Sequence, residues 1–323
     1  MGQRIEYALM WAYIKLLHLL PLPLAQWLAA RLYGLALLLH PAWGRAALYN
    51  LRFAFPDWTD SERRRILRLM VGNLGRMAAQ FARFPDYTRD NIHRDVVREG
   101  FEHFVAAERQ GKGVLLLGGH MGAWELCPVA HALYHRPFDF LMRPLDNRRV
   151  DALVNGYRGL CGGRPIPKNE SARMALRVLR AGGAVGILAD QNTAPEEAVF
   201  VPFFGIPAAT TTGIARLARH TGAPVVPLYI YWDPSLRQHR MCYEPEVPVA
   251  RTDDEQADIR DAAARMNLVI ENYVRRFPDQ WLWAHRRWKN RPPGEGPIYP
   301  DEKSFGAPPA AHTIEGAQRE NQP

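Results

Sequence analysis

The sequence predicts an α/β protein with a mostly parallel central sheet flanked by helices. Three features indicate this: an apolar N-terminal stretch, a basic helical segment after it, and short apolar runs that alternate with helical patterns from residue 100 onward. Such alternation is typical of parallel sheets covered on both faces. With 323 residues, 47% of them hydrophobic, the chain is long enough for a sizeable core and is not globally disordered.

Residues 6–40 are the most apolar stretch of the chain. Charged, polar and proline residues interrupt it before the ~20 apolar residues of a clean spanning helix accumulate. Pro21 and Pro23 predict two helices. A pair of soluble core helices and a membrane anchor that enters or lies in one leaflet are both compatible with the pattern. We favour an anchor over residues 1–40, because tryptophans and tyrosines suit the membrane interface.

Residues 41–99 are predicted to form a basic helical segment that packs on the next domain. Thr59 and Glu62 have the spacing of a capping box, which predicts that a helix begins there. This helix carries Arg63, Arg64, Arg65 and Arg68. Such a charge run is usually a solvated face, but beside an apolar anchor it also suits anionic lipid.

Residues 100–291 form the predicted α/β domain. Apolar runs bounded by glycines or turn residues predict strands at 113–117, 138–142, 184–189 and 224–232. Helical spacing predicts helices near 122–134, 147–160, 170–181, 211–220 and 254–276. Residues 292–323 hold 7 Pro and 4 Gly, which predicts a disordered tail.

The net charge indicates the class of partner, and the cysteines indicate the cellular environment. The chain has a net charge of +8 and the tail about −3, so the body carries about +11 and suits anionic lipid, an acidic protein or a phosphorylated substrate. No nucleic-acid motif is found, and the aromatic residues stand in apolar runs, so nucleic acid is not an expected partner. The three cysteines form no disulfide or zinc pattern, which favours a reducing, cytosolic environment.

Polar residues follow the predicted strands at the point where each strand ends. His120 follows the first strand, Arg143 the second and Asp190 the third. Ligands of open α/β sheets bind at the carboxyl ends of the strands. The sequence therefore predicts that these three side chains converge on one edge of the sheet.

His120 and Glu125 form the pattern His-x-x-x-x-Glu. On one regular helix these side chains would point ~140° apart. The surrounding glycines allow His120 to lie in the strand-to-helix loop, with Glu125 in the first helical turn and bonded to the imidazole. His120 is then a base that takes a proton from an alcohol. The loop holds no Ser or Cys, so we expect direct attack by the activated hydroxyl, with no metal and no cofactor.

Four ordered blocks resemble the lipid A biosynthesis acyltransferases, the late acyltransferases of the lysophospholipid acyltransferase-like group. The blocks are GGHMGAWE, LMRPLDN, FVPFFGIPAATTTGIARLARHTGAPVVP and QWLWAHRRWKNRP. The resemblance covers residues 100–293 and, more loosely, the N-terminal segment. It implies a glycerolipid acyltransferase-like fold and transfer of a fatty acyl chain from acyl carrier protein or acyl-CoA to a glycolipid hydroxyl. It also implies location at the inner membrane, with the catalytic domain on the cytoplasmic side.

The resemblance assigns roles to individual residues. His120 and Glu125 match the catalytic pair. The residues that it assigns to substrate binding are Arg143, Asp190, Arg286, Arg287 and Lys289. Simpler structural roles remain open for these five: a surface ion pair for Arg143, support of the site loop for Asp190, and a clamp on the last strand for the HRRWK block.

Other functions remain open at this point. The same group includes enzymes that acylate other glycolipids or lysophospholipids. Gln191 and Asn192 depart from some lipid A enzymes, and Trp288 stands where phenylalanine is more usual. A lipid or thioester hydrolase would use the same base with water, and a non-catalytic membrane adaptor would use only the basic surface.

Overall fold

The computed structural model describes residues 2–167 and 170–300. The predicted α/β class is confirmed. The helices are α1 (Gly2–Leu19), α2 (Leu22–Leu39), α3 (Pro41–Ala54), α4 (Asp60–Phe81), α5 (Phe101–Glu108), α6 (Leu126–Tyr134), α7 (Arg148–Arg158), α8 (Ser171–Arg180), α9 (Gly213–Thr221) and α10 (Glu255–Arg276). The strands are β1 (Val96–Glu99), β2 (Val114–Gly118), β3 (Asp139–Met142), β4 (Pro165–Pro167), β5 (Ala184–Leu188), β6 (Ala198–Phe203), β7 (Ile206–Thr211), β8 (Val225–Asp233) and β9 (Gln238–Tyr243).

Seven of these strands form one sheet in the order β1-β9-β8-β2-β5-β3-β4. All neighbouring strands in it are parallel except β8 and β9, which are antiparallel. Helices cover both faces. Leu115 and Leu117 of β2 pack on the side of α8, α9 and α10, whereas Val114 and Leu116 pack on the side of α5 and α6. The whole of β2 is buried, as expected of a central parallel strand.

The four strands predicted from apolar runs are confirmed as β2, β3, β5 and β8. The other five strands were not predicted. Two of them, β6 and β7, form a separate antiparallel hairpin in which Val201 pairs with Ala208. The predicted start of a helix at the threonine run is wrong by two residues, because Thr210 and Thr211 belong to β7 and α9 begins at Gly213.

The two N-terminal helices meet at Pro21, as predicted. By length and composition α2 is a candidate membrane span. It packs along α4 through the buried Ala25 and Ala29. At this contact a Cβ on Gly75 of α4 would lie 2.6 Å from the backbone nitrogen of Ala30, so the two helices approach each other closely.

The predicted capping box at the start of α4 is present. The Thr59 hydroxyl accepts from the backbone N–H of Glu62, and the Glu62 carboxylate accepts from the backbone N–H of Thr59. The arginine run behind it is not uniformly solvated. Arg63 is buried and donates to Asp60 and to the carbonyl oxygen of Pro56. Its three companions are exposed, namely Arg64, Arg65 and Arg68.

The first part of the predicted disordered tail packs on the body. Tyr299 is buried, its hydroxyl contacts the amide oxygen of Asn50 in α3, and it accepts from the backbone N–H of Trp288. The prediction of disorder for residues 301–323 falls outside the described residues.

Candidate active site

The register of β2 and β5 places the predicted base beside a carboxylate. Gly118 of β2 pairs with Leu188 of β5. His120 and Asp190 each lie two residues beyond this pair, at the carboxyl edge of the sheet. Gly119 allows them to meet, since a Cβ there would lie only 3.3 Å from the carboxyl carbon of Asp190. The predicted convergence of His120 and Asp190 is therefore confirmed.

Asp190 holds His120 in one orientation. The Nδ1 atom of His120 lies 2.8 Å from Asp190 Oδ1, and the backbone N–H of His120 donates to Oδ2 at 2.8 Å. The indole Nε1–H of Trp281 donates to the same Oδ2 at 2.7 Å. Asp190 is only 2% exposed. With the proton on Nδ1, the imidazole keeps its Nε2 lone pair for a substrate.

The charges of this pair shift both pKa values. Burial lowers the pKa of His120, but the charge and hydrogen bond of Asp190 outweigh burial, and the net pKa is raised. Glu125 adds to the rise and Arg158 opposes it. Burial raises the pKa of Asp190, but the contacts with His120 and Trp281 outweigh it and hold the pKa at about 2. Asp190 is thus a fixed anion, and His120 is a stronger base than a free imidazole.

Glu125 is held by an arginine rather than by His120. Arg158 Nε donates to Glu125 Oε2 at 2.7 Å, and Arg158 Nη2 donates to Oε1 at 2.5 Å. The indole of Trp124 also donates to Oε1, at 3.2 Å. The predicted hydrogen bond between Glu125 and the imidazole is therefore wrong, because Asp190 occupies the Nδ1 side of the ring. Arg158 was not predicted as a partner, because it ends α7 more than thirty residues after Glu125 and no motif links the two.

A pocket of about 630 Å³ opens beside His120. The polar residues that line it are His120, Glu125, Arg143, Asn192 and His285 from loops and the start of α6, and Arg158 from the end of α7. Apolar residues line it from the sheet and from α6: Leu116, Cys127, Phe138, Phe140, Leu228 and Ile230. Gly186 lets the Phe138 ring pack directly on β5, since a Cβ at this position would lie 2.6 Å from that ring. His120 thus lies at the polar end of a pocket whose other end is an apolar chamber.

His285 is a second histidine on the pocket wall. Burial lowers its pKa to about 4; the charge of Asp190 opposes this, while His120, Arg287 and Lys289 add to it. At neutral pH its ring is therefore uncharged and carries one N–H. Among the residues that the structure describes, no group of three His, Cys, Asp or Glu side chains is placed to hold a metal ion.

Comparisons with known proteins add the decisive observation. The profile of the bacterial lipid A biosynthesis acyltransferases matches residues 3–290. The chain belongs to this family. It is 31% identical to the lipid A biosynthesis lauroyltransferase of Escherichia coli over 90% of this chain and 94% of that protein. It is 28% identical to the palmitoleoyltransferase of the same organism over 91% and 95%, and 29% identical to the myristoyltransferase over 78% and 76%.

The chain is thus an acyltransferase of this family, and the structure places its predicted substrate-binding residues in different surroundings. Arg143 of this acyltransferase lines the pocket, with its side chain 82% exposed and 3.7 Å from Asp146. Asp190 points at His120 and Trp281 from a buried position, so its predicted substrate contact is replaced by a contact with the base.

The HRRWK block of the acyltransferase contributes less to the pocket than predicted. Arg287 is fully buried and donates to Ala209 O and Thr210 Oγ1 at 2.7 Å each, and burial lowers its pKa to about 10. Its guanidinium holds β7 against the C-terminal segment and does not line the pocket, so the geometry gives Arg287 a structural contact in place of the predicted substrate contact. Among the described residues that line the pocket, His285 is the only member of the block; Arg286 and Lys289 lie outside it.

Proposed function

We propose that the protein transfers a fatty acyl chain from an acyl thioester to a hydroxyl of a lipid A-type glycolipid, with His120 as the general base. One observation carries the mechanism: the Nδ1 side of His120 is held by the buried Asp190, while the imidazole borders a pocket with an apolar chamber. A fixed tautomer and a raised pKa are what a base needs to take a proton from an alcohol near neutral pH.

The proposed reaction has one addition and one elimination. His120 Nε2 takes the proton of the acceptor hydroxyl as its oxygen attacks the thioester carbonyl. The tetrahedral intermediate then collapses, the carbon–sulfur bond breaks, and the imidazolium returns its proton to the leaving thiolate. The products are an ester and a free thiol. Asp190 stabilises the imidazolium between the two steps, by the same logic as the acid of a Ser-His-Asp triad.

The other pocket residues fit supporting roles. Glu125 stabilises the imidazolium by its charge across space, since that charge raises the pKa of His120 without a hydrogen bond between the two. The neutral N–H of His285 suits the oxyanion of the intermediate. The exposed Arg143 suits a phosphate of donor or acceptor. The fatty acyl chain fits the chamber formed by the sheet and α6.

We further propose that the donor is acyl carrier protein rather than acyl-CoA, and that the enzyme works at the cytoplasmic face of the inner membrane. The body of the chain carries a net charge of about +11, which suits a strongly acidic carrier protein. The exposed apolar side chains of α1 and α2 suit attachment to a lipid bilayer.

The function can be tested by mass spectrometry of reaction products. The purified protein is incubated in lipid with a lipid A precursor and acyl carrier protein that bears a labelled chain. We expect a labelled glycolipid with the wild-type protein and with the exposed-site control His220→Ala, and none with His120→Ala. Circular dichroism checks that the variants are folded. Labelled free fatty acid in place of labelled glycolipid would identify a hydrolase instead, and activity only with acyl-CoA would reject the carrier protein as donor.

A further inference from the structure

We propose that α1 and α2 enter one leaflet of the bilayer from the cytoplasmic side and that neither helix crosses it. This inference rests on the membrane attachment proposed above and goes beyond it. The length of α2 by itself suggests the opposite, since 18 residues span ~27 Å as a helix, close to the thickness of a hydrocarbon core. The contacts of the segments before and after α2 decide against a crossing.

The segment before α2 is tied to the catalytic domain at both of its ends. The side-chain amide of Asn147, at the start of α7, donates to Gln3 O at 2.9 Å and to Glu6 Oε2 at 2.7 Å. At the other end Arg83 donates to Leu20 O at 2.5 Å. The whole of α1 therefore lies on the side of the membrane that the catalytic domain occupies.

The segment after α2 is tied to the same body. Asn50 of α3 is fully buried, and its amide donates to the carbonyl oxygens of Trp283 and His285 at 2.6 Å each. His285 lines the catalytic pocket. A crossing α2 would place α1 and α3 on opposite sides of the bilayer, which these two sets of hydrogen bonds do not allow.

The packing of α2 on α4 gives a second, independent argument against a crossing. Ala25 and Ala29 of α2 are buried against α4, and the close approach at Gly75 leaves no room for lipid between the two helices. The same α4 carries exposed arginines at positions 64, 65 and 68. Charged side chains are costly in the hydrocarbon core, so α4 stays outside it and keeps α2 near the interface.

The outward face of the pair fits lipid rather than another protein. Exposed apolar side chains are frequent on both helices, among them Leu9, Trp11 and Leu16 of α1 and Trp27, Leu35 and Leu38 of α2. Trp27 lies on this face and stacks with the guanidinium of Arg31, whose centre is 5.5 Å from the ring centroid. Indole rings beside basic groups are the composition of the membrane interface, where arginine reaches the head groups.

Labelling of single cysteines tests the topology. In a Cys161→Ser background, where the remaining cysteines are buried, Gln3→Cys is compared with Glu102→Cys, an exposed position on the catalytic domain. A membrane-impermeant maleimide is added to intact spheroplasts and to inverted inner-membrane vesicles. We expect both variants to react only in inverted vesicles. Reaction of Gln3→Cys in spheroplasts, with Glu102→Cys protected there, would show a crossing and overturn the proposal.

A depth measurement supplies a second readout. Spin labels at positions 24, 32 and 39 of α2 are compared by their accessibility to oxygen and to a water-soluble nickel complex. A helix confined to one leaflet gives depths that are similar or change in one direction along the helix, whereas a crossing helix is deepest at position 32 and shallow at both ends. Either a crossing pattern or loss of the protein from the membrane fraction overturns the proposal. Acyl transfer measured in detergent stays intact in both cases if the catalytic function is right, so the two failures are distinguishable.

Discussion

Two carboxylates near His120, Glu125 and Asp190, lie five and seventy positions from it in the chain, and the distant one makes the contact. Asp190 is buried and accepts from His120 and Trp281. Glu125 is partly exposed and is bound by Arg158. Asp190 therefore fixes the orientation of His120, whereas Glu125 acts on the imidazole only through its charge. A short motif marks a region of chemistry, but strand register decides which side chains touch.

Among the substitutions at these two carboxylates, replacement of Asp190 by Asn is expected to reduce activity most. The amide retains the size of the carboxylate but loses its charge and favours the wrong tautomer of His120. We expect kcat to fall by about 10³–10⁴-fold, as in other histidine-base enzymes that lose this acid. The measurement is acyl transfer under saturating substrates, with Asp253→Asn, at an exposed position away from the pocket, as the matched control. A loss of less than tenfold would mean that Asp190 does not act on the base.

Replacement of Glu125 by Gln is expected to have a smaller effect. The amide keeps the shape of the side chain but loses a charge that raises the pKa of His120. We expect kcat/KM to fall by about 10- to 100-fold, which corresponds to about 1.4–2.7 kcal/mol of transition-state stabilisation.

The pH profile separates this electrostatic role from a structural one. Activity requires neutral His120, so kcat/KM declines as the pH falls through the raised pKa of the imidazole. Without the charge of Glu125 that pKa is lower, and the acidic limb of the profile moves to lower pH. An unmoved limb with reduced activity would assign Glu125 to packing with Arg158 alone.

Replacement of Trp281 by Phe tests how much the hydrogen bond from Trp281 to Asp190 contributes to activity. It removes the indole N–H from Asp190 Oδ2 and leaves the contacts with His120 in place. A hydrogen bond to a charged acceptor contributes about 1.5–3 kcal/mol. We expect part of this loss to lower kcat, by about tenfold. Trp283→Phe, in the same aromatic cluster, serves as the control for packing. Equal losses in the two variants would contradict a specific role for the Trp281 N–H.

The stability of the protein should depend on pH through the ion pair of His120 and Asp190. The pKa of His120 is raised above 6.5, so its stabilisation is full below pH 6.5 and is lost as the pH rises through the folded-state pKa. The pKa of Asp190 is lowered from 3.8 to about 2, so its stabilisation is full above pH 3.8 and is lost as the pH falls towards 2. The pair thus contributes most between about pH 4 and 6.5.

Urea unfolding at several pH values tests this pH range. We expect the free energy of unfolding of the wild type to exceed that of Asp190→Asn by about 2 kcal/mol inside it, and by less on either side. A difference that does not change between pH 3 and pH 8 would mean that the variant acts through packing rather than through charge.

The smallest effect is expected at the apolar end of the pocket, away from both carboxylates. A methyl group from Gly186→Ala would press on the Phe138 ring and shorten the chamber. We expect KM for long acyl donors to rise a few-fold, with little change for donors two or four carbons shorter. The measurement is a series of donors of increasing chain length. A uniform change across the series would place the acyl chain elsewhere.

The sequence predicted the regular parts of this molecule better than its tertiary contacts. Long apolar runs identified the central strands, and the residues that follow those strands included His120, Asp190 and Arg143. The edge strands β1 and β4 are short and partly exposed, so they carry no apolar run to detect. Arg158 and Arg287 show why the site was less predictable. Each is an arginine in a basic chain, and only tertiary packing places one beside Glu125 and the other inside the core.

The tight contact between α2 and α4 has a practical consequence for handling the enzyme. Ala25 and Ala29 share a buried cluster with Ala78 and Ala79 of α4, so α2 is also part of the folded core. Deletion of residues 1–40 would uncover that cluster and remove the residues that Asn147 and Arg83 bind. A truncated enzyme should therefore aggregate rather than become water-soluble. Under the proposed membrane attachment, purification and crystallisation will require detergent or nanodiscs and a protein that keeps residues 1–40.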